Sequence, residues 1–195
     1  MKYDLSEIND IIKNRRSIYP EQFSERKVHR EQIETLLNNA TWAPTHGMTQ
    51  PWRFKVFMND GLEKLSKYQS ELYESITPAD KFSDVKFNKL KNRPLVSSAV
   101  IAICMKRQDS KRISELDEIA AVACSVQNMY LTATAYGLGV YWSSGGPTTK
   151  DETKLFLGLN EEDKCLGFFY VGYPAIDWPK GQRKPIEYVT EWIDE

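Results

Sequence analysis

Apolar positions along the chain repeat with two periods, and the switches between those periods divide it into elements. Leu5, Ile8, Ile11 and Ile12 share one face of an opening helix that ends near Asn14, with Asp4 and Glu7 spaced as a D-x-x-E capping pair. Ile33, Leu36, Leu37 and Ala40 repeat that spacing in a second helix, about 30–41. Pro44 pushes Ala43 out of helical geometry and ends it. Polar residues 45–50 form a short loop and Pro51 closes it. Trp52, Phe54 and Val56 then alternate with Arg53, Lys55 and Phe57, as in a half-buried strand that ends near Asn59. Leu62, Leu65, Leu72, Tyr73 and Ile76 mark another amphipathic helix. Residues 77–94 are irregular and Lys-rich, with Phe82, Val85, Phe87 and Leu90 interspersed. They read either as a mobile, partly helical lid or as a plain surface helix.

The second half begins with residues 96–105, β-branched and almost continuously apolar, which predict a strand buried on both faces. The longest helix follows, about 114–136, with Leu116, Ile119, Ala123, Val126, Tyr130 and Ala133 on one stripe. Ala120, Ala121, Cys124 and Ala135 make much of the remainder small, so this helix is buried either centrally or in a subunit interface. Gly137-Leu138-Gly139 stops it, and residues 140–143 resume as strand. A short helix over 151–157 precedes Gly158, residues 165–173 predict another buried strand, and residues 186–193 alternate weakly. No repeat, low-complexity tract or linker interrupts this order, so residues 1–195 read as a single domain.

Composition narrows the possibilities. The 195 residues suffice for one full core. Lys+Arg 26 against Asp+Glu 27 leaves a net charge of -1, which gives no pull toward nucleic acid or an anionic membrane. Apolar runs such as 99–105 fall far short of a membrane span, and the N-terminus is polar. Cys104, Cys124 and Cys165 are odd in number and scattered, without metal-ligand spacing. They suit free thiols in a reducing compartment, hence a soluble cytoplasmic protein. With only His29 and His46 present, mechanisms that need a histidine cluster are nearly excluded. Aromatics at 12 % imply a large core or an aromatic-lined pocket.

Candidate chemistry lies in the turns. The loop over 45–50, pinned by prolines between helix and strand, is a rigid mount for a ligand contact, or else an ordinary turn. Arg15-Arg16-Ser17 can grip a phosphate by charge-assisted bonds, or can sit as a solvated pair at a helix C-terminus, where cations are favoured in any case. Gly137 and Gly139 follow a helix and precede a strand, the reverse of the dinucleotide fingerprint, so they read as a helix C-cap. Ser143-Ser144-Gly145-Gly146-Pro147 either presents backbone N–H groups to a ligand or forms a flexible loop.

Arg15-Arg16-Ser17, Ala43-Pro44 with Gln50-Pro51-Trp52, the Gly137/Gly139 turn into Tyr141-Trp142-Ser143-Ser144-Gly145, Gly172-Tyr173-Pro174, and Arg183-Lys184-Pro185 follow one another in an order that resembles the flavin-dependent nitroreductase family. The loop Thr45-His46-Gly47-Met48 is similar to the family's small single-domain branch. The resemblance implies an α+β fold, with a mostly antiparallel central sheet flanked by helices. It also implies an intertwined homodimer in which a C-terminal strand, here 186–193, is exchanged. It further implies FMN at the dimer interface, NAD(P)H as electron donor, and a small-molecule electron acceptor such as a nitroaromatic or quinone, reduced by a ping-pong two-electron mechanism. Alternatives within the resemblance are an oxygen-dependent, flavin-consuming relative and a non-catalytic flavin-binding protein.

Carried over by position, Arg15, Arg16 and Ser17 hold the phosphate and ribityl chain, and Arg183 closes on the phosphate. Trp42 and His46 approach the flavin across the interface, and Gln50 bonds the ring or ribityl edge. Trp142, Ser143, Ser144 and Gly145 line the other side, and residues 132–137 meet the nicotinamide. No side-chain catalyst or metal is required; His46 reads as a flavin-edge hydrogen bonder or as a proton donor. The sequence departs from the family pattern at His46 and Met48, where serine and asparagine are usual. It departs again at Gly181, where a basic residue is common, which implies a thinner phosphate anchor.

Overall fold

The computed structural model describes residues 3–194. Strands β1 (Trp52–Phe57), β2 (Ala99–Met105), β3 (Gly139–Ser143) and β4 (Lys164–Gly172) form a four-stranded sheet in the order β1-β2-β4-β3, and every pairing is antiparallel. Helices α1 (Leu5–Asn14), α2 (Arg30–Ala40), α3 (Asp60–Ile76), α4 (Asp84–Val96), α5 (Glu115–Ala135) and α6 (Asp151–Leu157) surround it.

The continuous apolar run of β2 has a direct cause, for the sheet is covered on both faces. Ile101, Ile103 and Met105 pack with Ile33, Leu36 and Ala40 of α2 and with Val122, Val126 and Met129 of α5. Val100, Ala102 and Cys104 point the other way, onto Leu62 and Leu65 of α3, Leu157 of α6, and Phe168 and Tyr170 of β4. Burying each of these large side chains contributes about 1.5–3 kcal/mol. Cys104 and Cys165 face one another in the β2–β4 register as free thiols.

Several expectations need correction. Of the two readings of 77–94, the plain surface helix holds over 84–96, packed on α3; it extends past the expected end, so Val96 ends α4 and the strand starts at Ala99 rather than 96. Asp4 does cap α1, chiefly through the Ser6 N–H and hydroxyl at 2.8 and 2.7 Å, with the Glu7 N–H also bonding its carboxylate. The buried stripe of α5 is rotated from the predicted one: Leu116 is 73 % exposed, while Glu118 is buried. Arg107 makes that burial tolerable, since its guanidinium bonds Glu118 Oε2 directly and the Gln108 N–H bonds Oε1 at 3.3 Å. Residues 186–193 form no strand within the chain; Ile186–Tyr188 is a single 3-10 turn. Among the described residues, no helix is long and apolar enough to cross a membrane, and no cluster of His, Cys, Asp or Glu could hold a metal ion.

Candidate functional site

The segment after α1 follows the outer edge of the sheet. The Ile18 N–H donates to Val140 O at 3.0 Å, and Phe23 bridges to Pro174. Gly139 and Gly172 allow this approach, because a Cβ on Gly172 would lie 2.5 Å from the Phe23 ring. Arg15, Ser17 and the β3 edge thereby reach one place, and Tyr130 of α5 joins them. The Tyr130 hydroxyl accepts the Trp142 N–H at 3.0 Å and lies 3.4 Å from Ser17 Oγ. Arg15 spreads over the Tyr130 ring, 5.1 Å from its centroid. Among the described residues Arg15 has no carboxylate partner, so a half-buried cation is left with donors to offer.

Beyond β3, Ser144 and Gly145 are exposed and the loop is anchored from behind. Thr148 Oγ1 donates to Gly145 O (2.8 Å), and Thr153 Oγ1 donates to Pro147 O (2.6 Å). Trp142 takes part through its backbone. Its indole packs on the core and lies against Gly167, whose φ of +138° and missing Cβ make room for it. The ring is half-buried on the same side of the sheet as Tyr130, and the strand's backbone is what contacts Tyr130 here.

Arg16 differs most from its expected role. Its Nε donates to Pro179 O (2.8 Å), and its Nη1 donates to Lys13 O (2.7 Å) and Arg15 O (2.8 Å). It is committed to backbone carbonyls. Arg183 lies on the exposed tail, with Nη1 bonded to Gln182 O at 2.7 Å.

The second group, Trp42, His46 and Gln50, is mounted on the loop between α2 and β1. Gly47, Met48 and Gln50 all adopt positive φ (57°, 54° and 45°), a conformation that costs the two non-glycine residues strain. Thr45 holds it: its hydroxyl accepts the Gln50 N–H at 3.1 Å and lies 3.2 Å from Thr49 Oγ1. Trp42 is 86 % exposed. His46 Nδ1 sits 3.1 Å from Asp117 Oδ2, in the first turn of α5. The hydrogen bond to His46 holds the Asp117 carboxyl below the usual carboxylate range.

The two groups are separate within one chain. Asp117 and Tyr130 lie about 20 Å apart along α5 and some 140° apart around it. One ligand on one face of the helix does not reach both. Sequence reasoning missed Tyr130, which it placed among core positions; its hydroxyl on an otherwise apolar stripe was the available signal.

Known proteins share this architecture. The chain is 28 % identical over 167 residues to YdjA of Escherichia coli K12, provisionally named an NAD(P)H nitroreductase, covering 86 % of this chain and 88 % of that protein. The crystal structure of a nitroreductase-like family protein from Bacillus cereus superposes with a TM-score of 0.84 at 30 % identity, covering 100 % of this chain and 99 % of that one. A Desulfovibrio desulfuricans protein solved in complex with FMN shares the fold at 20 % identity, with a TM-score of 0.71 and full coverage of both chains. The family profile itself matches residues 12–173, from the end of α1 to the last residue before Pro174, and the chain belongs to the nitroreductase family.

Proposed function

We propose that the protein is an FMN-dependent oxidoreductase that acts as a homodimer, taking electrons from NAD(P)H and delivering them to small acceptors such as nitroaromatics or quinones. One observation carries this reading. Arg15, Ser17 and the Trp142 N–H meet at Tyr130, and the strand they border runs on into the exposed Ser144-Gly145 turn, giving a cation without a carboxylate partner among the described residues, hydroxyls and, further along, open backbone. That donor set fits a flavin mononucleotide: Arg15 and Ser17 would hold its phosphate and ribityl chain, and 143–145 would face its ring. Arg16 fits less well as a ligand, because its Nε and Nη1 are held by carbonyls and its Nη2 lies against Gly181.

When bound, FMN supplies two-electron hydride chemistry, reduced by a nicotinamide and reoxidised by an acceptor that takes the same place in turn. The protein binds, orients and shields. Arg15 places positive charge at the site, and the rear anchors at Thr148 and Thr153 fix the turn. His46, held by Asp117, acts as a hydrogen bonder at the flavin edge.

Pairing of two copies accounts for the separation of the two groups, since a partner's loop would bring Trp42, His46 and Gln50 over the first chain's Arg15 and Ser17. Exposed apolar surface supports this. α1 leaves Leu5, Ile8 and Ile12 uncovered beside a groove lined by Leu131, Ala135 and Tyr136 of α5 and its cap. Residues 186–193 expose Ile186, Val189, Trp192 and Ile193, as expected of a strand that pairs only with a second chain. The test is the absorbance spectrum of the purified protein, followed by anaerobic NADPH or NADH. A flavin band that bleaches with either donor and returns with a nitroaromatic supports the reading. A colourless protein that also fails to bind added FMN overturns it.

A further inference from the structure

The Arg15-Arg16 doublet divides its labour. We propose that Arg16 is a positioning residue, a strut that fixes the C-terminal tail to the end of α1 and so sets where Arg183 stands; it does not itself touch the cofactor phosphate. This inference rests on the flavin reading above for its second half only.

The last carbonyls of a helix have no partner within the helix and must find donors elsewhere. In α1 the tail and Arg16 provide them. Trp178 Nε1 donates to Asn14 O at 2.6 Å, and Arg16 Nη1 donates to Lys13 O and Arg15 O at 2.7 and 2.8 Å. Arg16 Nε reaches across to Pro179 O at 2.8 Å and ties the two segments together. A planar, forked guanidinium can satisfy carbonyls on two strands of backbone at once; an ammonium group cannot hold the same geometry. Trp178 and Pro179 are half-buried, and residues 180–189 beyond them are exposed, so this is the tail's last fixed point before Arg183.

Gly181 supports the same assignment. A Cβ there would overlap Arg16 Nη2 and Cζ and lie 2.7 Å from Nη1. The absence of a side chain at 181, which looks like the loss of a basic anchor, is the space the Arg16 guanidinium occupies. The obstacle is the far end of a flexible side chain, and Gly181 is not among the residues with positive φ. Alanine at 181 therefore evicts the guanidinium without straining the backbone, which provides a second way to remove the strut.

Two readouts on the full-length protein test this. In the apoprotein, tryptic cleavage after Lys180 and Arg183, followed by mass spectrometry, should accelerate several-fold in both Arg16→Ala and Gly181→Ala. With cofactor, both variants should weaken FMN about tenfold, the scale of one charge-assisted contact, and leave riboflavin affinity within twofold, because only FMN carries the phosphate that the family resemblance assigns to Arg183. Arg16→Lys should behave as Arg16→Ala, and neither Arg16→Ala/Gly181→Ala nor Arg16→Ala/Arg183→Ala should be worse than its more severe parent. The strut is refuted if Gly181→Ala matches wild type in tail cleavage and FMN affinity while Arg16→Ala alone loses FMN and Arg16→Lys restores it; Arg16 is then a direct phosphate ligand. Equal losses of FMN and riboflavin would refute the link to Arg183. A wild-type protein that binds neither flavin removes the flavin reading and that link with it, and tail cleavage still decides the strut.

Discussion

Replacing Tyr130 by phenylalanine removes one oxygen from the point where the site's pieces meet. The ring stays, so Arg15 keeps its place 5.1 Å above it and Phe169 keeps its edge contact at 5.0 Å. What is lost is the acceptor for the Trp142 N–H at 3.0 Å and the neighbour of Ser17 Oγ at 3.4 Å. Ser17 is exposed and turns to water at little cost. The Trp142 N–H sits on a part-buried strand edge, and stranding it costs about 1–3 kcal/mol. For a chain of this length that corresponds to roughly 2–4 °C in Tm per kcal/mol. Tyr130→Leu loses the ring as well and should cost a further ~0.5–2 kcal/mol from the cation–π contact alone. Guanidinium denaturation at fixed protein concentration, read beside FMN affinity, checks both variants. Tyr130→Phe should lower stability within that range and weaken FMN several-fold by freeing Ser17 and the β3 edge. A Tyr130→Phe protein within 0.5 kcal/mol of wild type by the limit of such measurements, with unchanged FMN affinity, would refute the idea that this hydroxyl organises the site.

Three further outcomes follow from the fold. Glu118→Gln leaves the Arg107 guanidinium without its buried counter-charge and should cost about 3–5 kcal/mol in denaturant unfolding; most of that should return in Arg107→Met/Glu118→Gln. Gly167→Ala places a Cβ 2.5 Å from Ser143 O at a φ of +138°, so strain alone should cost about 1–3 kcal/mol, visible as a lower denaturation midpoint. Burial pushes the Tyr170 hydroxyl up to about 12, against the opposing hydrogen bond to Gln69, from an ordinary value of 10.0. The folded chain therefore keeps a proton that the unfolded chain loses, and this contribution, complete below pH 10, is lost as pH rises toward 12 at about 1.4 kcal/mol per unit. The difference in unfolding free energy between wild type and Tyr170→Phe, followed from pH 9 to 12, should show that slope.

Periodicity made the regular elements legible where local pattern and tertiary environment agree. The buried run of β2, the Gly158 stop and the 45–50 loop are examples, and Gly158 takes the left-handed conformation its position implies (φ 61°). The helix α4 was obscured because its last turn contains Pro94 and its middle is Lys-rich; packing on α3, a long-range contact, decides it. Residues 186–193 show a weak strand signal without a strand: within the chain they form only the 3-10 turn Ile186–Tyr188, and none of the four strands pairs with them. The Arg15-Arg16 doublet shows a different limit. Both residues have the same chemistry, and only the return of the tail past α1 shows that Arg16 is tied to carbonyls through Nε and Nη1, whereas Arg15, among the described residues, has no carboxylate partner and lies over Tyr130.

The account depends most on a site shared between two copies, and mixing two inactive variants tests that directly. Arg15→Ala disables the phosphate end, and Trp42→Ala/His46→Ala disables the loop end. Co-expressed and purified together, they should regain about a quarter of the wild-type FMN content and NAD(P)H turnover, because half the dimers are mixed and each mixed dimer rebuilds one of its two sites. If the mixture recovers nothing while each variant still forms dimers, the two groups belong to one chain's site, and the shared flavin site proposed here is wrong.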